Sequence, residues 1–528
     1  MFSNIIHSGF DLSLMMFLPL VGIVCLFVLR PNQRQWAWFI ATLFAGATFA
    51  KSLVLLLAFD PTAKGMQFAE KISWIPAFGI NYSLGIDGIS IWLVVLTTFL
   101  TLVVVFASQT VTEKLRAYLT CLLLLETGML GALLAMDGIL FYIFWELMLV
   151  PMYFLIGIWG GKRRVYAALK FVLFTASGSL LMLVAIVYLA NMCAQQLGQV
   201  SFAINDWVSL EFSHREELLL FSAFLFAFAI KVPIFPLHTW LPDAHVEAPT
   251  GGSVILAGVL LKFGIYGLMR FGVPIFPEAV IVFSPVLAWL GVVGIIFGAL
   301  MAWVQTDMKK LVAYSSVSHL GFCVLGFAAM NKQGFEGAIL QMINHGISTA
   351  ALFLVVGVLY ERKHTRLIAD YGGLAAKMPA FATVFLIFTL SSIGLPLTNG
   401  FIGEFLLLYA GFSYNSVLGT FAVSGVILGA MYMLSLYRRV VFGPFDLKRN
   451  GDIADLSTNE RLVFAPLIVL VFLLGLYPKP FLERIAVSSA QALYYLEQQP
   501  ALELYRSGEI AFLSDSSYPA ANEDTLLP

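Results

Sequence analysis

Charge is scarce in this sequence. Of 528 residues only 12% are Asp, Glu, Lys or Arg, where a soluble domain carries about 25%. So little charge cannot cover a water-facing surface. Cysteine is scarce too: Cys25, Cys121, Cys193 and Cys323 lie far apart, each within or at the end of an apolar run. No CxxC pair or Cys/His cluster exists, so neither a zinc nor an iron–sulfur site is supported. The four read as small buried hydrophobes. Nucleotide signatures are missing: no GxGxxG follows a strand, and 160-GGK-162 lacks the earlier glycine and the Ser/Thr of a phosphate loop. No haem or metal ligand set appears, so no cofactor is expected on this chain. With a net charge of −1, no global field suggests nucleic acid or an acidic substrate.

What is abundant is apolar sequence: 60% of residues are hydrophobic, and mean hydropathy is +0.89. About fourteen runs are long enough to span a bilayer: 12–29, 35–59, 86–108, 115–134, 137–158, 164–192, 217–236, 250–272, 279–303, 311–330, 335–360, 379–409, 417–442 and 460–482. Hydrocarbon admits only helices or closed barrels, and runs of about 20 residues exclude barrel strands. The chain is therefore expected to be an all-α polytopic membrane protein. Its start lacks a basic region before the first apolar run, so it reads as a spanning helix rather than a cleaved signal. The longest loops, 60–85, 193–216 and 443–459, are too short for a separate catalytic domain. From residue 483 a more polar tail is expected to be interfacial and then disordered.

Most lysines and arginines fall in one set of alternate loops, among them Arg30, Arg34, Lys114, Arg116, Lys162, Arg163, Arg164, Lys170, Lys309, Lys310, Arg362, Lys363, Arg438 and Arg439. That face is expected to be cytoplasmic, which puts both termini on the other. The cations left within spans are Lys51, Lys231 and Lys262.

Two spans carry their own helix breakers, at 233-PIFPLHTWLP-242 and 394-GLPLTNGFIGEF-405. Proline removes a helical hydrogen bond, and the freed carbonyls need protein or water around them. Each break falls in the fourth helix of a five-helix block. The blocks are expected at 111–273 and 274–445, flanked by 1–110 and 446–528. Paired interrupted helices in two repeats point to a transport site near mid-membrane.

Charged side chains deep in the spans are the candidate site. Each costs roughly 2.5–3.5 kcal/mol to insert, so each needs a reason. Glu146 sits in 139-ILFYIFWELMLVPMYFLIGIWG-160, too deep to snorkel. Lys231 adjoins the first break, Glu404 the second, and Lys262 lies in 253-SVILAGVLLKFGIYGLM-269. The plainer reading, a structural hydrogen-bonded charge, suits any one of them but not four on separate helices. His319 in 315-SSVSHLGF-322 and His345 in 341-QMINHGISTA-350 are candidate proton relays, as is His238 beside the first break. A satisfied interhelical histidine is the alternative for each. Glu126 is a secondary candidate, one helix before Glu146. His245 and Glu247 read as membrane-edge residues, His7, His214 and His364 as loop residues, Lys51 as a snorkelling lysine, and Asp87 and Asp137 as helix caps. Together the charges suggest ion conduction, most simply of protons. A buried amine beside a carboxylate is a switch, because protonating or moving the carboxylate lets the amine release its proton.

The stretches 144-FWELMLVPMYFLIGIWGG-161, 230-IKVPIFPLHTWLPDAHVEAPT-250, 254-VILAGVLLKFGIYGLMR-270, 312-VAYSSVSHLGF-322 and 394-GLPLTNGFIGEF-405 resemble the antiporter-like membrane subunits of respiratory complex I, the NADH–quinone oxidoreductase, over roughly residues 80–445. The resemblance implies fourteen helices, two inverted five-helix repeats and discontinuous seventh and twelfth helices. It implies a modulated Glu146–Lys231 pair in one half-channel, Lys262 as central relay, His319 and His345 near the connecting polar axis, and Glu404 as the terminal proton carrier of the other half. Sister types of this family, L and N, typically carry lysine where Glu404 stands, and the M type carries glutamate. NADH, FMN, iron–sulfur clusters and quinone are then expected in partner subunits, with L-type and N-type neighbours in a bacterial cytoplasmic membrane. The alternatives are a Na+/H+ antiporter subunit, against which Glu404 argues, and the homologous subunit of a ferredoxin–plastoquinone complex or membrane-bound hydrogenase. A structural scaffold without transport would not need the buried charges.

Overall fold

The computed structural model describes residues 9–30, 33–451 and 453–502. His7, Arg506 and the expected disordered tail lie outside the described residues. Twelve described helices are long and apolar enough to cross a membrane. Two further spans are interrupted: His214–Lys231 with Trp240–Glu247, and Pro379–Ser392 with Asn399–Tyr414. They occupy the seventh and twelfth places, so the helices match the expected fourteen spans and both expected breaks.

The helix starts follow local chemistry. Asp137 accepts from the Ile139 and Leu140 amides at the fifth span, as expected of a cap. Asp307 does the same for Lys309 and Lys310 at the tenth, and Asn415 for Val417 and Leu418 at the thirteenth. Ser213 with Glu216 and Ser457 with Glu460 form reciprocal capping boxes.

The all-α expectation needs one correction. Residues within the 60–85 loop form an antiparallel hairpin, β1 (Gln67–Ile75) and β2 (Ile80–Ile86). The third span consequently begins at Ile91 rather than 86. The hairpin secures the start of the first span: buried Glu70 accepts from the Leu12 amide at 2.6 Å and from the Ser13 amide at 3.2 Å. The polar stretch after 483, expected to be interfacial, begins within a helix. Lys479–Glu497 is an amphipathic helix that buries Phe481, Ile485, Ser488, Ala492 and Leu496. Phe481 stacks on Trp92 at 4.3 Å, and Ser488 Oγ accepts from the Gly88 amide at 2.9 Å.

The eighth span (Thr250–Ile275) and eleventh span (Lys332–Lys363) are wholly enclosed, whereas the first, second and fourteenth expose most of their surface. The eighth is not uniformly α-helical. Two π-helical stretches, Leu256–Leu260 and Leu268–Gly272, flank Lys262. Wider turns of this kind leave carbonyls free to accept from side chains and recur at functional positions.

Candidate functional site: a buried polar axis

Around the first break the surroundings are aromatic. Lys231 ends the helix His214–Lys231 and is 1% exposed. Its Nζ lies 5.0 Å over the Trp145 ring and 5.7 Å from the Phe171 ring, with no hydrogen-bond partner among the described residues. Cation–π attraction holds the ammonium in place of a direct acceptor. Glu146, next to Trp145, is the carboxylate that acts on it electrostatically. The two are coupled without a contact ion pair. Trp240 Nε1 donates to the Ile230 carbonyl at 3.0 Å, satisfying a backbone group near the break. Lys170 anchors the second half of the span through Asp243 at 2.7 Å and the Thr239 carbonyl at 2.8 Å. His238 is buried between Phe235 and Phe297, at ring separations of 5.6 and 5.1 Å. Glu126 is fully buried, and neither carboxylate oxygen has a partner among the described residues.

Around the second break the surroundings are hydrogen-bonded. Lys262 Nζ donates to the Ala257 carbonyl, inside the first π-helical stretch, and meets His345 Nδ1 at 2.7 Å. The His345 and His319 rings are 5.9 Å apart. His319 Nδ1 pairs with Glu404 Oε1 at 2.8 Å, and its Nε2 reaches Ser392 and Tyr432 hydroxyls at 3.3 and 3.4 Å. Gln341 also donates to Glu404, at 3.2 Å. The eighth, eleventh, tenth and twelfth spans thus contribute successive members of one line: Lys262, His345, His319, Glu404. A polar cavity of about 10 Å³ borders it, lined by His319, Gln341, His345, Ser392 and Glu404 among others, roughly room for one water.

The break itself is closed by amides. Asn399 Oδ1 accepts from Ser391 at 2.6 Å, its carbonyl accepts from Asn344 at 2.7 Å, and its own amide donates to the Asn344 carbonyl and to Ser348 at 3.2 Å. Gly394, at φ +71°, turns the chain there, and a Cβ on it would sit 3.0 Å from Glu404 Oε2. Glycine therefore permits both the turn and the close passage of the carboxylate.

Several expectations change. Lys51 pairs with Asp11 at 2.6 Å. Asp87 is a cap and more: besides accepting from the Ile89 and Ser90 amides, it forms a two-pronged pair with Arg270 at 2.5 and 2.9 Å. Arg270, near the end of the expected eighth run, is buried because this partner and Tyr266 satisfy it. His245, expected at the membrane edge, is fully buried and stacks on Phe353 at 4.6 Å. Lys309, expected in a loop, is buried too. His214 opens a helix and pairs with Glu278 at 2.6 Å. Sequence reasoning missed the uncharged members, namely Gln341, Asn344, Ser348, Ser391, Ser392, Asn399 and Tyr432. Their only advance signal is the cluster of small polar residues in 341-QMINHGIST-349 and the asparagine after a proline break.

Residues 135–429 match the family model described as NADH:quinone oxidoreductase/Mrp antiporter, TM. Over 496 residues the chain is 46% identical to NADH-quinone oxidoreductase subunit M of Rhodobacter capsulatus, covering 91% of this chain and 95% of that one. It is 44% identical over 476 residues to NADH-ubiquinone oxidoreductase chain 4 of Marchantia polymorpha, covering 90% and 95%. Among solved structures it is similar to a chain of respiratory complex I from Thermus thermophilus with bound NADH, at TM-score 0.84 and 30% identity, covering 92% and 99%. A chain of the Mrp complex from a Dietzia species shares the fold at TM-score 0.81 and 21% identity, covering 92% and 98%.

Proposed function

This chain belongs to the family of antiporter-like membrane subunits of NADH–quinone oxidoreductase, with subunit M among its relatives, and from that premise we propose that its buried polar axis carries protons across the membrane as part of that translocase. The observation that carries the reading is the line Lys262–His345–His319–Glu404, with contacts of 2.7 and 2.8 Å at its ends. Each member holds or passes a proton, and a neutral imidazole accepts on one nitrogen while donating on the other. Such a line would serve no purpose in a scaffold, where apolar residues avoid the insertion cost.

Glu146 and Lys231 form the modulated pair at the first break. Because they are coupled without contact, neutralising or shifting Glu146 changes how strongly Lys231 holds its proton, with no hydrogen bond between the two to break. Lys262 takes up the proton, His345 and His319 pass it, and Glu404 delivers it. His238 and Glu126 are secondary members beside this route. Quinone reduction drives the movement from other subunits, which hold NADH, FMN and the iron–sulfur clusters. L-type and N-type subunits are the neighbours. The lysine- and arginine-rich loops face the bacterial cytoplasm, and both termini the periplasm.

Inverted membrane vesicles with Lys262→Ala test the reading. NADH oxidation with a hydrophilic acceptor reports assembly, and quenching of a pH-sensitive dye reports proton uptake. Assembly is expected to survive while uptake is lost. Uptake at the wild-type rate would refute the proposal. Uptake that required sodium would favour a cation antiporter instead.

A further inference from the structure

We propose that Lys309 is the proton-intake residue for Lys262, taking protons from a charged cluster at one membrane face and passing them inward by way of His245. The inference rests on reading the axis as a proton path.

The local sequence is 306-TDMKKL-311. Asp307 caps the tenth span by accepting from the Lys309 and Lys310 amides at 2.8 and 3.1 Å, and this fixes where the twin lysines point. Lys310 stays partly exposed, whereas Lys309 is 6% exposed. Lys309 Nζ donates to the carbonyl of Ala248 at 2.5 Å. Ala248 closes the helix Trp240–Glu247, the second half of the broken seventh span. Arg366, paired with Asp307 at 3.2 Å, donates to the Val246 carbonyl of the same helix end. Two cations therefore sit at one helix C-terminus, where a single one already complements the dipole. Arg366 lies nearer the surface and suffices for that purpose. The deeper lysine needs another reason.

One comes from what lies inward. His245 is three residues before Ala248, fully buried and stacked on Phe353, and neither ring nitrogen has a partner among the described residues. It lies within electrostatic reach of both Lys309 and Lys262. Beyond Lys262 the line to Glu404 begins. A second reason comes from what lies outward. Asp307, Glu247 and Arg366, all partly exposed, face Lys309. A cavity of about 880 Å³ includes in its wall Pro249 and Leu354, which follow Ala248 and Phe353 in the chain. Lys309 thus stands between a solvent-touching acid–base cluster and a buried imidazole. As an ammonium it can release a proton, which a guanidinium does not. Each cycle is a proton transfer only: Lys309 gives one to His245 and regains one from the cluster.

The test uses the assembled enzyme in inverted vesicles with three variants, Lys309→Arg, Lys309→His and Lys262→Ala, and the two assays above. Lys309→Arg keeps the cation and a donor to Ala248 but cannot hand on a proton. Its uptake rate is expected to fall about tenfold or more, a barrier increase of about 1.4 kcal/mol, with assembly unchanged. Lys309→His is expected to recover part of the rate and to make it depend on pH near the imidazole range. Normal uptake in Lys309→Arg with loss in Lys262→Ala overturns this inference alone. Normal uptake in both overturns the reading of the axis. If Lys309→Arg fails to assemble, Lys309→His decides: pH-dependent uptake supports the inference, and uptake lost at every pH in an assembled enzyme overturns it.

Discussion

The seventh span breaks among aromatic rings, the twelfth among amides and hydroxyls. At the first, Lys231 rests against Trp145 and Phe171 and feels Glu146 from beyond contact distance. At the second, Glu404 is held by His319 and Gln341, and Asn399 ties Ser391, Ser348 and Asn344 together. A charge on a ring face keeps little geometry and moves at small cost. A charge in a satisfied network is positioned and costly to displace. On the proposed reading, this suits the first break to changing state and the second to conducting without rearranging.

The comparison can be broken most severely at the first break. Glu146→Gln removes the carboxylate that acts electrostatically on Lys231, so proton uptake should drop at least about a hundredfold, the lower range for a positioned proton-transfer group, with assembly retained. Lys231→Ala should match it. At the second break His319→Ala leaves Glu404 its Gln341 contact, so uptake should fall less than in Glu146→Gln. Equal losses would mean that both halves are switches. Stability should show the opposite order. Asn399→Ala strands buried partners and should cost about 2 kcal/mol, read as a lower melting temperature of the purified subunit in detergent. Trp240→Phe removes one hydrogen bond at the first break, about 1 kcal/mol by the same measurement. Lys332→Ala, at a 3.9 Å pair with an exposed lysine, should change stability by less than about 0.5 kcal/mol and serves as the baseline.

Much of this contrast can be read in the sequence. Pro233, Pro236 and Pro396 mark both breaks because proline cannot continue a helix, and a charge within an apolar run stands out by its cost. Other features are hidden for physical reasons. Lys309 beside Lys310 reads as one of the loop cations, and only the packed return of Ala248 reveals its burial. Asp87 and Arg270 are 183 residues apart, so local spacing holds no trace of their pairing. The hairpin at Gln67–Ile86 mixes polar and apolar residues without strict alternation, because register irregularities after Gln67 and Ser73 interrupt it. The amides around Asn399 carry no charge, so no insertion penalty singles them out.

The Asp87–Arg270 pair also makes the last helix part of a load path. Ser488 grips the Gly88 amide, Asp87 is the preceding residue, and its carboxylate clamps Arg270, about two helical turns beyond Lys262 on the same enclosed span. The amphipathic helix Lys479–Glu497 is therefore linked through one neutral hydrogen bond and one charge-assisted pair to the span that holds Lys262. Two π-helical stretches interrupt that span on either side of Lys262. A partner that pulls on the far end of this chain has a mechanical handle on its middle.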